Sequence, residues 1–299
     1  MHFQRWLPDT AQFTGTVLCV HGLTRNSYDF ERLAAVLTAA GYQVIAPDIV
    51  GRGKSDRLTE PALYNYATYA ADLMALIERE KLRDIAWVGT SMGGVLGMMI
   101  AAKHPRLISR LVLNDVGTFI PKASLERIVA YADKPPPVFA TLEDAEAHCR
   151  KAYAAFGIAR DEDWKYFTRI SLQEIPGGYS LAYDPSIITA LAASPLTDVN
   201  LLPLWSAQPM PVLLLRGAES DLLPHDIAVA MALRPSTQLV EFRGCGHAPS
   251  LTVAERIPVV AGFISGTPAE PPAVIDILKG YGRLARAGWK ALIQARRTR

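Results

Sequence analysis

The alternation of short apolar segments with longer amphipathic ones constrains the fold of this chain more than any other feature. Apolar segments bounded by Gly, Pro, Asn or Asp predict buried strands at residues 16–20, 43–46, 85–88, 111–113, 212–215 and 239–242. Helical patterns at residues 30–40, 66–80 and 93–103 separate the first four of these strands. Such alternation requires βαβ crossovers. We therefore predict an α/β fold with a mostly parallel central sheet and helices on both faces.

The alternation stops between residues 118 and 206. This segment is helix-like, rich in aromatic and charged residues, and has no clear buried strand. Open sheets bind ligands at the carboxyl ends of their strands, and an insertion here would overhang that edge. We interpret the segment as a helical cap over a core of residues 1–117 and 207–266. Packing helices with no role in substrate binding are the alternative.

The last segment, residues 267–299, is basic. Its seven Lys or Arg exceed its two acidic residues, Glu270 and Asp276, by five, so it carries +5 in a chain whose net charge is +2. Its apolar residues approximate a helical stripe, which predicts a basic C-terminal helical tail. Such a helix can lie on a membrane surface or dock on a partner. The alternative is a terminal helix that packs on its own domain and exposes a basic face.

Composition argues against several other classes of protein. A net charge of +2 gives no reason to expect a nucleic-acid partner. No apolar run has the length of a membrane span, and the N-terminus lacks the pattern of a signal peptide. The odd, sparse cysteines, Cys19, Cys149 and Cys245, predict a cytoplasmic location, and no Cys/His pair has metal-ligand spacing. Cys245 lies two residues before a histidine, but residues on one tight loop rarely present a thiol and an imidazole to one substrate.

Ser91 is the predicted nucleophile. It is the central residue of Gly89-Thr90-Ser91-Met92-Gly93, which matches the pattern G-x-S-x-G. The pattern directly follows a predicted strand and precedes a predicted helix. A sharp turn between the two strains the central residue and projects its side chain from the edge of the sheet. The flanking glycines are then needed because the two backbones pass too close for a β-carbon.

A serine hydroxyl needs a base to take its proton, and His247 is the predicted base. It lies in a glycine-rich loop after the last predicted strand, at the carboxyl edge of the sheet. Other histidines stand at less suitable places: the chain terminus (His2), a helix end (His104), the insertion (His148) and a helix start (His225).

The base in turn needs a carboxylate that holds its tautomer, and Asp221 is the predicted acid. The order Ser91, Asp221, His247 along the chain is the order in which a strand-turn-helix serine is usually followed by its partners. Two rivals remain: Glu219, two residues away, and Asp115, which ends the strand at residues 111–114 and so also lies at the carboxyl edge of the sheet.

Two backbone N–H groups should stabilise the oxyanion of a tetrahedral intermediate. Met92, which follows the nucleophile, supplies one of them. The other is predicted at Leu23, in the loop after the first buried strand, where Gly22 allows a tight turn. His21 in the same loop is interpreted as an orienting residue.

Six stretches of the chain resemble the α/β-hydrolase superfamily, in its large group of capped bacterial hydrolases. They are residues 20–23, 48–55, 88–94, 113–117, 216–221 and 246–247. The resemblance covers roughly residues 15 to 265 and implies the α/β-hydrolase fold, a helical cap inserted after the sixth strand and a Ser-His-Asp triad. It implies a structural role for the loop at residues 48–55. Because about twenty residues precede His21, the first strand of that fold is expected to be missing, with residues 3–7 as the edge strand.

Serine at the turn implies hydrolysis of a small carboxylic ester through an acyl-enzyme, since the dehalogenases and epoxide hydrolases of this family carry aspartate there. C–C bond hydrolysis of ring-cleavage products is the first alternative, and lactone hydrolysis and amide or peptide cleavage rank lower. A receptor that uses the same pocket without catalysis is a third class. No cofactor or metal is expected, because a serine, a histidine, an aspartate and two amides complete the chemistry. Trp205 is a further prediction, as a substrate contact, and the oligomeric state is left open.

Overall fold

The centre of the molecule is a single twisted sheet with helices on both sides. The computed structural model describes residues 1–8, 12–132, 137–193, 195–267 and 275–277. The described strands are β1 Phe3–Trp6, β2 Gly15–Val20, β3 Tyr42–Pro47, β4 Ile85–Thr90, β5 Ile108–Asn114, β6 Phe119–Ile120, β7 Leu172–Ile175, β8 Gly178–Leu181, β9 Val199–Asn200, β10 Val212–Gly217, β11 Thr237–Phe242 and β12 Ile275–Ile277. Eight of them form the main sheet in the order β1-β3-β2-β4-β5-β10-β11-β12. The pairings from β3 to β11 are parallel, whereas β1 and β12 run antiparallel to their neighbours.

Both faces of the sheet are buried, which explains the apolar runs in its sequence. Along β2, Leu18 and Val20 belong to an apolar cluster on one face, while Val17 and Cys19 belong to a second cluster on the other. Successive side chains of a strand point to opposite faces, so a strand covered on both sides is apolar throughout. All six predicted strands are present, and the predicted α/β fold is confirmed.

Helices lie in the connections, and three of them match the predicted helical patterns. The helix α2, for example, begins after Asn65, whose side chain accepts a hydrogen bond from the Thr68 N–H. The described α-helices are α1 Glu31–Ala39, α2 Tyr66–Arg79, α3 Met92–Lys103, α4 Lys122–Ala132, α5 Leu142–Ala152, α6 Asp161–Ser171, α7 Ser186–Ala192, α8 Leu202–Ser206, α9 His225–Ala232 and α10 Ile257–Ser265.

Residues 118–206, here called the insertion, lie between β5 and β10 and contain α4 to α8. Its ends meet, because β6 pairs antiparallel with β9 and the Leu201 N–H donates to the Thr118 carbonyl at 2.7 Å. The insertion was predicted to have no clear buried strand, and the strands that it does contain, β6 to β9, are short and form two small two-stranded sheets. Strands this short bury no continuous apolar run, so the sequence carries no signal for them.

The edges of the sheet bear on two further expectations. The predicted edge strand at residues 3–7 is present as β1, which pairs with β3. The insertion follows β5, the fifth strand in chain order, whereas the resemblance implied a position after the sixth strand. The prediction of a helical tail is wrong at Ile275–Ile277, which form β12 beside β11. Alternating β-branched residues after two prolines favour a strand here. The rest of the predicted tail lies outside the described residues.

Membrane-spanning helices and clusters of metal ligands are both absent from the described residues. In that part of the chain, no helix is long and apolar enough to cross a membrane. The same residues contain no group of three or more His, Cys, Asp or Glu arranged to hold a metal ion.

Candidate active site

Ser91 occupies a strained turn between β4 and α3. The strand ends at Thr90, the helix begins at Met92, and the φ angle of Ser91 is +50°, in a region that costs energy for any residue with a β-carbon. Its N–H donates to the Asn114 carbonyl at 2.9 Å, which ties the turn to the end of β5. The predicted strand-to-helix turn is therefore present.

The glycines that flank Ser91 allow α3 to approach the sheet. A β-carbon on Gly93 would lie 2.0 Å from the Val20 carbonyl oxygen in β2. One on Gly89 would lie 2.4 Å from the backbone carbon of Gly93. Both separations are far below van der Waals contact, so glycine is required at both positions, as the sequence predicted.

His247 lies in the loop after β11, and its partner is Asp115. Its Nδ1 lies 2.8 Å from Asp115 Oδ2, and the two side chains are 12% and 0% exposed. Asp115 directly follows β5 and has a φ of +58°, so it too stands at a turn at the carboxyl edge of the sheet.

The Asp115 carboxylate is held by two further donors, one at the end of β10 and one in the loop that follows it. Its Oδ1 accepts from the Gly217 N–H at 2.9 Å, and its Oδ2 accepts from the Ser220 hydroxyl at 2.6 Å. Arg216 in turn fixes that loop by donating to the Leu223 carbonyl at 2.8 Å. A buried carboxylate with three donors keeps one orientation, and it can therefore hold one orientation of the imidazole.

The prediction that Asp221 is the partner of His247 is wrong in this structure. Asp221 accepts from Arg127 Nε at 2.5 Å and Nη2 at 2.9 Å, and both side chains are about half exposed. Partial burial opposes its ionisation, but the hydrogen bonds from Arg127 outweigh this and lower the pKa of Asp221. The physical reason is that Ser220 fills the inward position beside Asp115, which turns the next residue outward. Of the two rivals, Asp115 takes the place and Glu219 does not.

The loop predicted to carry an oxyanion donor is fixed by His21. Its Nδ1 lies 2.7 Å from the Gly22 carbonyl, and its Nε2 accepts from the Ile49 N–H at 3.0 Å. The imidazole is therefore neutral, and burial lowers the pKa of His21 to about 4. Because a trans peptide directs its C=O and N–H to opposite sides, the bond to the Gly22 carbonyl turns the Leu23 N–H the other way. Neither the Leu23 N–H nor the Met92 N–H donates to an acceptor in the described residues.

Arg52 lies behind this loop, and sequence reasoning assigned it no part in the site. The side chain is buried and donates to the Leu23 carbonyl at 2.8 Å, while Nη2 lies 3.7 Å from the Met92 sulfur. Its guanidinium carbon is 4.7 Å from the centre of the Tyr69 ring, and burial lowers the pKa of Arg52. One cation thus contacts both residues that were predicted to supply oxyanion donors. An arginine between two glycines, Gly51 and Gly53, is the signal that could have found it.

Ser91 and His247 line the same cavity, of about 140 Å³. The insertion contributes part of the wall, through Arg127, Ile128, Ala152, Tyr153, Ala155 and Phe156. The core contributes the rest, through Gly22, Leu23, Thr24, Arg25, Asp29, Phe30, Thr90, Asn114, Ala248, Pro249, Ser250 and Leu251. The wall is mainly apolar, with two arginines and one aspartate as its charged groups.

The prediction that Trp205 contacts substrate is not supported by its position. Trp205 is absent from the cavity wall, is 7% exposed, and has the Arg234 guanidinium carbon 5.1 Å from its ring centre. The helix α8 returns the chain from the insertion to β10, and this tryptophan serves as core at that junction.

Cys245, two residues before His247 in sequence, is inert in this structure. It is 1% exposed, its thiol lies 3.4 Å from the Phe242 carbonyl, and burial raises the pKa of Cys245 to about 11. A buried neutral thiol is a poor nucleophile. The geometry therefore agrees with the choice of serine.

Known proteins resemble the chain over most of its length. A family model described as alpha/beta hydrolase fold matches residues 15–252. A 3-hydroxybutyrate-oligomer hydrolase of Cupriavidus necator is 34% identical over 263 residues, which cover 84% of this chain and 88% of that protein. A crystallised alpha/beta hydrolase of Novosphingobium aromaticivorans superposes with a TM-score of 0.80 at 34% identity, covering 88% of this chain and 93% of that one. A Rickettsia typhi protein gives 0.81 at 34% identity, covering 89% and 90%.

Proposed function

Because the chain belongs to the alpha/beta hydrolase fold family, we propose that it hydrolyses carboxylic esters through Ser91, His247 and Asp115. The observation that carries the proposal is the opening of Ser91 and His247 into one cavity, with His247 bonded at 2.8 Å to a fully buried Asp115. A nucleophile, a base and an orienting acid are the parts that acyl transfer requires.

In the proposed reaction, the Ser91 hydroxyl attacks the ester carbonyl while the free nitrogen of His247, Nε2, takes its proton. The Asp115 carboxylate, bonded to Nδ1, stabilises the imidazolium that forms. The N–H groups of Leu23 and Met92 receive the charge that develops on the carbonyl oxygen. His247 then gives its proton to the departing alkoxide. A water molecule then attacks the acyl carbonyl as the same imidazole takes its proton. The imidazolium returns that proton to the Ser91 oxygen as the C–O bond to Ser91 breaks and the acid leaves.

The substrate class that we favour is a short oligoester of a hydroxy acid. Its support is the similarity to the Cupriavidus necator protein, whose name gives 3-hydroxybutyrate oligomers as its substrate. The mainly apolar wall of the cavity suits a short aliphatic acyl group.

The test combines labelling with turnover. We expect a fluorophosphonate to modify Ser91, and we expect the protein to hydrolyse 3-hydroxybutyrate dimer and trimer as well as short p-nitrophenyl esters. The Ser91→Ala variant should lose both labelling and turnover. An intact fold that neither reacts with the probe nor turns over any ester would favour a receptor. Turnover of a vinylogous diketone without ester turnover would favour C–C bond hydrolysis.

The cysteines support a cytoplasmic location as part of this proposal. Cys19, Cys149 and Cys245 are all buried free thiols. Fractionation of the native host tests it, and recovery in an extracytoplasmic fraction would refute it.

A further inference from the structure

Two arginines line the cavity, and they differ in how firmly each is held. Arg25 is 4% exposed and contacts Asp29 through Nε at 3.0 Å and Nη2 at 2.5 Å. It also donates to the Ser171 hydroxyl at 2.6 Å, and it lies 4.0 Å from the centre of the Phe167 ring. Its charge is thus paired and its position fixed, so it is unavailable to a ligand.

Arg127 is held more loosely. It reaches the cavity from α4, and its only charged partner in the described residues is Asp221, which is not part of the cavity wall. The two side chains are 49% and 46% exposed, and an ion pair exposed to this degree contributes little energy. A second carboxylate can therefore compete for the arginine at low cost.

The guanidinium also has unused donors. Asp221 occupies the edge formed by Nε and Nη2, and Nη1 has no acceptor among the described residues. A guanidinium presents five N–H donors in a planar fork, which matches the geometry of a carboxylate. The edge formed by Nη1 and Nη2 can thus receive a substrate carboxylate, which then competes with Asp221 for the charge of the same guanidinium.

The charges at the cavity point the same way. Arg25 and Asp29 cancel, so Arg127 is the unbalanced charge of the wall, and Asp221 offsets it from outside. An anionic group on a substrate would therefore be attracted by Arg127 at the wall and repelled by Asp221, which pairs with Arg127 from outside the cavity.

We propose that Arg127 binds a free carboxylate of the substrate and that Asp221 is the competitor which that carboxylate must overcome. Resting on the proposed ester hydrolysis, this names the substrate class as esters whose acyl or alcohol part ends in a carboxylate. It also makes Arg127 a specificity-determining residue supplied by the insertion.

The two halves of the ion pair should then have opposite effects. A matched substrate pair isolates the charge: the p-nitrophenyl monoester of adipate, and its counterpart with a carboxamide in place of the carboxylate. We expect Arg127→Gln to lower kcat/KM for the anionic ester about tenfold, mainly through KM, and to leave the amide within about twofold. We expect Asp221→Asn to raise kcat/KM for the anionic ester about threefold, an effect that shrinks with added salt.

The control is Arg150→Gln, because Arg150 is an exposed arginine of the insertion that pairs with Glu146 and Asp161 and does not line the cavity. The bond from the Ser124 hydroxyl to the Asp221 carbonyl, at 2.7 Å, still ties α4 to the core in the Arg127 variant. If Arg127→Gln and Asp221→Asn each lowered kcat/KM equally for the anionic ester and for its carboxamide counterpart, the ion pair would only hold the insertion in place. That result would overturn the inference. The inference would also be overturned if the unmodified protein hydrolysed the anionic ester and its carboxamide counterpart with equal kcat/KM, although ester hydrolysis itself would then stand. If the unmodified protein neither hydrolysed any ester nor reacted with the fluorophosphonate at Ser91, the proposed function would be refuted instead.

Discussion

Two aspartates near the base of the insertion differ in burial, and this difference suits them to different roles. Asp115 is fully buried and bonds to His247, Ser220 and the Gly217 N–H. Asp221 is 46% exposed and bonds to Arg127 beside the cavity. The first is oriented from every side and suits a fixed part of the site, whereas the second has a partner that water and ligands can reach. Position along the chain favoured Asp221, and contacts favour Asp115.

The sharpest way to break this comparison is to neutralise each aspartate in turn. On a neutral p-nitrophenyl ester, Asp115→Asn should lower kcat about 10⁴-fold, because an amide in place of the carboxylate leaves the imidazole in the wrong tautomer. Asp221→Asn is the matched control and should retain kcat within about threefold, since no bond joins Asp221 to His247. Circular dichroism verifies that both variants fold. If the control lost activity as severely as the Asp115 variant, the assignment of the acid would be reversed.

A second test concerns Arg52, the buried arginine behind the loop that carries Leu23. Arg52→Met should lower kcat up to about 100-fold with little change in KM, because the Leu23 peptide loses the donor that positions it. Affinity for a boronate that forms a tetrahedral adduct on Ser91 should fall in parallel, since it depends on the same two N–H groups.

Arg234→Met is the control for that test. Arg234 donates to the Met210 carbonyl at 2.6 Å, and burial lowers its pKa too, but it does not line the cavity. If both variants lost the same activity, the effect of Arg52 would be one of general packing.

A third test compares how much a buried ion pair and an exposed one contribute to the free energy of unfolding. Asp163 in α6 is 2% exposed and contacts Arg32 of α1 at 2.5 Å and Arg160 at 2.8 Å. Burial opposes its ionisation, but the hydrogen bonds from Arg32 and Arg160 prevail and lower the pKa of Asp163. Asp163→Asn should reduce the free energy of unfolding by about 2 kcal/mol at pH 7, whereas Arg127→Gln should cost less than about 1 kcal/mol.

The pH dependence of that cost follows from the direction of the shift. A carboxylate whose pKa is lower in the folded protein contributes stability above its unfolded pKa, near 4, and loses it as the pH falls through the folded value. The difference between wild type and Asp163→Asn should therefore shrink below about pH 4, as urea unfolding at pH 7 and pH 3.5 would reveal. A difference that stayed constant would mean that packing, not charge, accounts for the effect.

The sequence was most informative where a pattern extends over many residues. The inner strands β2 to β5, β10 and β11 are buried on both faces, so each leaves a continuous apolar run, and the turn at Ser91 is fixed by two glycines. The strands β6 and β9 have two residues each and leave no periodicity to find.

Individual side-chain directions were not predictable. Whether Ser220 or Asp221 faces His247 depends on how the loop after β10 meets the end of β5, and the spacing of residues does not encode that contact. Trp205 was chosen for its size and its place near the end of the insertion, and the same properties make a good core residue. Arg52 stood in a loop assigned to structure, and only its contacts with the Leu23 carbonyl and the Met92 sulfur, which spacing does not encode, link it to the site.

None of the hydrogen bonds described for the Asp115 side chain comes from the insertion, so the insertion can change in sequence without loss of those bonds. The residue stands just before the insertion. Its donors follow the insertion: Gly217 ends β10, the parallel neighbour of β5, and Ser220 lies in the loop after that strand. The short β6–β9 ladder closes the segment between them. Exchange or gradual divergence of residues 118–206 can therefore reshape the wall of the cavity without moving the acid. Laboratory recombination of this segment between relatives has the same freedom, and it is there that selection for new substrates would act first.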